Sequence, residues 1–226
     1  MNRFQPIKHS ETECRFCDFL TPLSKHAPVD TPWLLGASYA AFVSIGALVP
    51  GWSLIVPKNH KINLTEDYTR TDFWNFVESA ARILKDQYGD FSIFEHGAFN
   101  FDSQTSCGTG HAHLHMVPLS FSLFEEAQAF DKTLRWEKCL ASQISEKSKN
   151  SEYLYVADHF QGEHTQGNIC LLTKETSQFF RKVIATKLGI PDSYDYKKSK
   201  MLDITLQSFE TLSSNGWNSL KNTRSA

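Results

Sequence analysis

Three histidines alternate in the stretch HAHLHMVP, at His111, His113 and His115. On a strand, residues two apart share a face, so this spacing makes a row of imidazoles, with Ala112, Leu114 and Met116 turned the other way into a core. Neighbours in such a row stand roughly 7 Å apart at the backbone and the ends roughly 13 Å apart. Two adjacent imidazoles can converge on one small ion, and three do so only with difficulty. A row of this length suits an extended substrate, and attack on phosphorus is the chemistry that uses it. A neutral imidazole, with a solution pKa around 6.5, is a competent nucleophile at physiological pH. Its far nitrogen must be held as a donor, most simply by a backbone carbonyl, so that the near nitrogen offers its lone pair. A second histidine beside it can bond the phosphate oxygens or the leaving group. Just upstream, Gly108 and Gly110 bracket Thr109 in a turn whose backbone N–H groups could approach a phosphate. The competing readings are a metal site and a solvated histidine face.

Cys14 and Cys17 form a CxxC, which alone fits a zinc knuckle, a redox pair or chance. The strand before and long helix after that a thioredoxin-like site needs are missing. A zinc site needs two more ligands, and His60, in VPKNH, and His111 are the best candidates for a Cys₂His₂ set. Taken alone, His60 reads as a solvent-facing residue at a strand end. Cys107, Cys139 and Cys170 read as small buried hydrophobes. Farther on, His159, His164, Gln178 and Arg181 are further substrate contacts to consider. Arg181 suits a phosphate or carboxylate if its helix start faces the cleft, but a surface arginine on an amphipathic helix is the favoured reading.

Stepping along the chain, SYAAFVSI (38–45), SLIVP (53–57), FSIFEHG (91–97) and HAHLHMVPL (111–119) read as strands. Pro50-Gly51 suits a hairpin turn between the first two. Phe73, Phe76, Val77, Ala80, Ile83 and Leu84 recur at helical spacing, with Thr71 or Thr65 as a cap and Gly89 as a stop. The polar run SEKSKNSE (145–152) reads as a linker or exposed loop. Two more strand-like runs, 152–158 and 168–173, and two helical ones, 177–190 and 200–212, follow. The expected fold is α+β: a mainly antiparallel sheet with one long helix over residues 1–125, and a C-terminal α/β extension over 126–226, a strand hairpin and two helices packed on the core.

The 226 residues include 41% hydrophobic and 21% charged side chains, an ordinary globular balance. A net charge of −2 implies no polyelectrolyte partner, so nucleic acid is not expected. No run approaches the roughly 18 apolar residues of a membrane span. The N-terminal stretch lacks the apolar centre of a secretory signal, and the five cysteines suit a reduced protein, which together point to the cytoplasm.

With these residues in view, HAHLHMVP resembles the signature of the histidine-triad (HIT) superfamily. LVPGWSLIVPKNH is similar to that family's segment PxHxLxxPKxH, and the CxxC resembles its zinc-containing branch. Asn100, eleven residues before His111, falls where the family carries an amide that contacts phosphate or ribose. The resemblance covers roughly residues 14–120. It implies a HIT-like fold, a homodimer and a hydrolase that cleaves a nucleoside 5′-phosphate derivative at the α-phosphate. A phosphorylase or nucleotidyltransferase with the same nucleophile, or a catalytically silent nucleotide-binding module, are the alternatives. By the same resemblance His113 forms a nucleotidyl-histidine intermediate and His115 contacts the phosphate and assists departure of the leaving group. His111 orients the site and joins Cys14, Cys17 and His60 around a structural zinc, while Asn100, Ser44, Gly108, Thr109 and Gly110 contact substrate. The chain departs from the family pattern at Trp52, where a histidine is usual, which implies the loss of a polar group. It departs also at Ser44, where an acidic ribose-binding residue is common, and at Cys107.

Overall fold

The computed structural model describes residues 14–20, 27–106, 109–149 and 151–222. Its centre is one eight-stranded sheet: β1 (Leu34–Leu35), β2 (Tyr39–Val43), β3 (Ser53–Pro57), β4 (Phe91–Gly97), β5 (Leu114–Pro118), β6 (Glu137–Leu140), β7 (Tyr153–Ala157) and β8 (Gln166–Leu171). The spatial order is β1-β2-β3-β5-β4-β7-β8-β6, and every ladder is antiparallel. The helices are α1 (Arg15–Phe19), α2 (Thr71–Tyr88), α3 (Leu123–Phe130), α4 (Ile144–Ser148), α5 (Phe179–Lys187) and α6 (Leu202–Asn222). The α+β class expected from the sequence is the one observed. Among the described residues no helix is long and apolar enough to cross a membrane.

Strands β2, β3 and β4 are buried along their whole length because the sheet is covered on both faces. One face packs Tyr39, Ile55, Ile93, Leu114 and Met116 against Phe73, Val77 and Leu84 of α2. The other packs Phe42, Leu54, Phe94 and Val156 against Phe16 of α1, Leu123 of α3, and Phe180 and Ile184 of α5. Helix α2 carries the chain from β3 to β4, leaving a gap that β5 fills, so the histidine strand lies centrally between them. The residues expected as an extension continue the same sheet, since β7 pairs directly with β4.

Several local expectations change. Neither threonine caps α2: Arg70 precedes the helix without a side-chain cap, and Thr65 bonds Asn63 instead. Gly89 does end it, at φ 81°, with its N–H on the carbonyl of Lys85 at 2.9 Å. The polar run 145–152 is not all loop, because Ile144 is buried and pins the short helix α4. His111 and His113 precede the β5 ladder, in an extended lead-in tied by the Ala112 N–H to the Lys61 carbonyl at 2.6 Å, and only His115 stands in the strand. The segment after β3 is fastened by buried polar groups. Glu95 accepts from the Leu64 N–H (2.8 Å), Tyr68 (2.8 Å) and Tyr153 (2.6 Å), and Asp67 accepts from Tyr39 and Lys61, both at 2.8 Å. Those bonds fix the stretch that carries His60.

Candidate functional site

Cys14 starts α1 and Cys17 follows within its first turn, so both thiols point to one side of the helix. That side meets His60 and His111, and the four potential ligand atoms lie within 4.8 Å of one another. Cys14 Sγ is 3.2 Å from His111 Nδ1, Cys17 Sγ is 3.3 Å from His60 Nδ1, and Cys17 Sγ is 3.7 Å from His111 Nδ1. Ligand atoms around a tetrahedral ion with bonds of about 2.0–2.3 Å stand roughly 3.3–3.8 Å apart, so three of these separations are already close to that spacing and the set could close on a metal by a small contraction. His111 Nε2 donates to the Pro57 carbonyl at 2.8 Å, which leaves Nδ1 with a lone pair facing the sulfurs and sets the ring plane. Burial pushes the His111 pKa down to about 4, so its ring stays neutral and ready to ligate. Phe101 stacks flat on His60, with centroids 5.9 Å apart.

The other two histidines look away from this cluster, into a cavity of about 160 Å³ between the sheet and the α1–α5 layer. His113 Nδ1 lies 2.9 Å from the His111 carbonyl. A carbonyl only accepts, so Nδ1 holds the proton and Nε2 offers the lone pair. His115 is arranged the opposite way. The indole N–H of Trp52 donates to His115 Nδ1 at 2.9 Å, so its proton sits on Nε2, which is buried and has no hydrogen-bond partner among the described residues. The two rings are 4.6 Å apart at their centroids, and Phe94 stacks on His115 at 4.1 Å. Burial holds both imidazoles below their ordinary pKa, at His115 with help from His113, His96 and Arg181. Both are therefore neutral at physiological pH.

Trp52 thus corrects the expectation that a polar group is lost at its position: the indole supplies a donor where the resemblance led us to expect a histidine. Ser44 and Thr109 line the cavity, and Gly110 stands beside them at φ 58°, a backbone conformation that favours glycine. Gly108 and Cys107 lie outside the described residues. Asn100 is on an exposed turn and does not line the cavity. His159 and His164 are exposed on the β7–β8 connection, and Gln178 is buried but also outside the cavity lining. Cys139 and Cys170 are buried thiols, as expected.

Arg181 overturns its favoured reading as a surface residue. It is 2% exposed and lines the cavity with His113 and His115. The apolar wall of Phe16, Phe19, Phe42 and Leu54 was not foreseen as part of the site either. Nor was His96, whose Nε2 accepts from the Phe180 N–H at 3.4 Å and whose ring lies 6.1 Å from His115. Strand alternation could have found it, because Phe94 and His96 share a face and Phe94 is opposite His115 in the ladder.

No protein-family model matches the chain, and no curated protein matches it. Among solved structures it is similar to a Hit-like protein involved in cell-cycle regulation from Bartonella henselae, at 21% identity and a TM-score of 0.30, covering 38% of this chain and 67% of that one. It is also similar to a hypothetical histidine triad nucleotide-binding protein from Sulfolobus tokodaii strain 7, at 14% identity and a TM-score of 0.38, covering 80% and 92%.

Proposed function

We propose that the protein is a hydrolase that cleaves a nucleoside 5′-phosphate derivative at the α-phosphate. One observation carries this reading: adjacent neutral imidazoles hold opposite tautomers at one cavity, a lone pair on His113 Nε2 and a proton on His115 Nε2. His113 Nε2 attacks the α-phosphorus and forms an N–P bond while the P–O or P–N bond to the leaving group breaks. The leaving group departs with that electron pair, stabilised by a hydrogen bond from the His115 Nε2–H, which keeps its proton because a neutral imidazole is far too weak an acid to give it up. Water then attacks phosphorus and releases one proton to solvent, the N–P pair returns to His113, and a nucleoside monophosphate is released. A structural zinc on Cys14, Cys17, His60 and His111 would fix the carbonyl that orients His113, since the His111 backbone is its acceptor.

The test is turnover of dinucleoside polyphosphates, nucleoside phosphoramidates and nucleotide sugars by the wild type and by His113→Ala. The expected result is hydrolysis by the wild type, reduced at least about a thousandfold in the variant, as for loss of a nucleophile. Hydrolysis that persists in His113→Ala defeats the nucleophile assignment. Binding without turnover in the wild type means a silent nucleotide-binding module instead.

A further inference from the structure

Along the cavity floor a row of rings leads from Phe16 past the two histidines to Trp52 and a buried cation. The Phe16 and His113 rings are 5.8 Å apart, those of His113 and His115 4.6 Å, and those of His115 and Trp52 5.8 Å. The guanidinium of Arg181 then lies 4.9 Å over the Trp52 ring. Phe16, Phe19 and Phe42, with the Arg15–Asp30 ion pair beside Phe19, border the cavity beyond His113, while the end beyond His115 finishes at a buried cation with no carboxylate among the described lining residues there. Arg181 Nε donates to the Tyr194 carbonyl at 2.7 Å and Nη2 donates to the Gly46 carbonyl, which orients the guanidinium fork. The Gly46 loop can reach Arg181 because a Cβ there would lie 2.8 Å from both the Ser199 carbonyl and Tyr196 Cβ, and only glycine, at φ 70°, fits. The Arg181 charge acts on this side of the row, where it disfavours protonation of His115 and His96. A desolvated charge is felt far more strongly than one in water, so an anion entering at this end meets a strong local attraction.

We propose that Arg181 is a specificity-determining residue that binds an anionic leaving group, so that the substrate is a phosphoanhydride, a nucleoside 5′-diphosphate or longer polyphosphate derivative. The proposal rests on the reading of His113 as nucleophile and His115 as hydrogen-bond donor to the leaving group. When the bridging P–O bond breaks, the departing phosphate takes the electron pair, accepts a hydrogen bond from the His115 Nε2–H, and turns its negative charge to the guanidinium. A leaving group without charge, such as the amine of a phosphoramidate, makes no use of Arg181. The residue comes from α5, outside the stretch that resembles the histidine-triad motifs.

The experiment is calorimetric binding of the four ribonucleoside 5′-monophosphates and 5′-diphosphates to His113→Ala, which separates affinity from turnover. The expected result is that the diphosphate of the preferred base binds roughly ten- to a hundredfold tighter than its monophosphate, the effect of one charge-assisted contact. Adding Arg181→Met is expected to bring that ratio to about one, and Arg181→Lys to retain part of it. Equal affinities in His113→Ala overturn the proposal without any change at Arg181, so it stays testable should Arg181→Met fail to fold. A ratio unaffected by Arg181→Met in a folded protein also overturns it. Binding of no nucleotide at all overturns the nucleotide reading itself, a different result from equal affinities.

Discussion

Trp52 shows how one side chain can replace another of different chemistry while keeping the contact that matters. It is fully buried, packs edge-on against Phe94 and gives its only proton to His115. A neutral imidazole has two tautomers, and the indole, which can donate but not accept, permits only the one with hydrogen on Nε2. Trp52→Phe keeps the ring and removes the donor, leaving His115 Nδ1 buried without a partner. The expected outcome is a fall in kcat of about tenfold, the worth of roughly 1–2 kcal/mol for one hydrogen bond, with KM nearly unchanged and folding intact. Trp52→His restores a ring N–H and is expected to regain part of the loss. Steady-state kinetics beside a melting curve for each variant decides it. A kcat equal to wild type in Trp52→Phe excludes the positioning role.

At the scale of elements, Asp158 is the residue on which the helical layer under the cavity depends. Its carboxylate accepts from Ser92 (2.8 Å), Ser122 (2.6 Å) and the N–H groups of Leu123 (2.9 Å) and Phe124 (3.3 Å). It therefore caps α3 from the residue after β7, while Ser122 caps the same helix by accepting from the Glu125 N–H at 3.1 Å. Helix α3 packs on α5, which carries Arg181. Asp158→Ala leaves these donors unmatched and is expected to cost about 2–3 kcal/mol in urea unfolding, with no change in the m-value. A loss of under about half a kcal/mol would remove the cap from the account. Nothing local marks Asp158 in the sequence, because its partners lie up to 66 residues away. What is local was legible: β3 and β4 match SLIVP and FSIFEHG to the residue, as apolar runs bounded by turn residues. β1 has two residues, too few to show a period, and β6 is EKCL, whose exposed edge-strand polarity hides it. The four residues that could hold a metal were legible because a CxxC and histidines are donor types recognisable from sequence. The burial of Arg181 was not, since it depends on the carbonyls of Gly46 and Tyr194 from other parts of the chain.

For the whole molecule, stability depends on two buried polar centres on opposite faces of the sheet. On one face α1, with five residues, is too short to persist alone; Phe16 against Phe42 and the two cysteines hold it. Metal removal by a chelator, or Cys17→Ser, is therefore expected to lower Tm and to loosen the cavity wall that Arg15, Phe16 and Phe19 supply, with zinc restoring both in the unmutated protein. Undiminished metal content in Cys17→Ser would exclude that thiol as a ligand. On the other face, Glu95 is 1% exposed, and burial raises its pKa to about 7, with Tyr153, Tyr68 and the Leu64 N–H pulling in the opposite direction. The folded protein thus keeps a proton on Glu95 that the unfolded chain releases from about pH 4.5 upward. This group's stabilising contribution is full below that pH and is lost as pH rises through 7, by about 3 kcal/mol in all. The buried histidines work the other way. His96, pushed down to about 3 chiefly by burial, binds fewer protons folded than unfolded, so its contribution is present above pH 6.5 and is lost as pH falls. The two trends overlap between pH 5 and 7, and the total curve conceals both. Glu95→Gln keeps the shape and an acceptor for Tyr68 and Tyr153 but does not titrate, so subtraction isolates the carboxyl. Urea unfolding of wild type and Glu95→Gln at pH 5, 6, 7 and 8 is expected to show wild type losing ground steadily to the variant as pH rises, most steeply from 5 to 7. A difference that stays flat across this range means that Glu95 is ionised throughout in the fold, and that its three donors outweigh its burial.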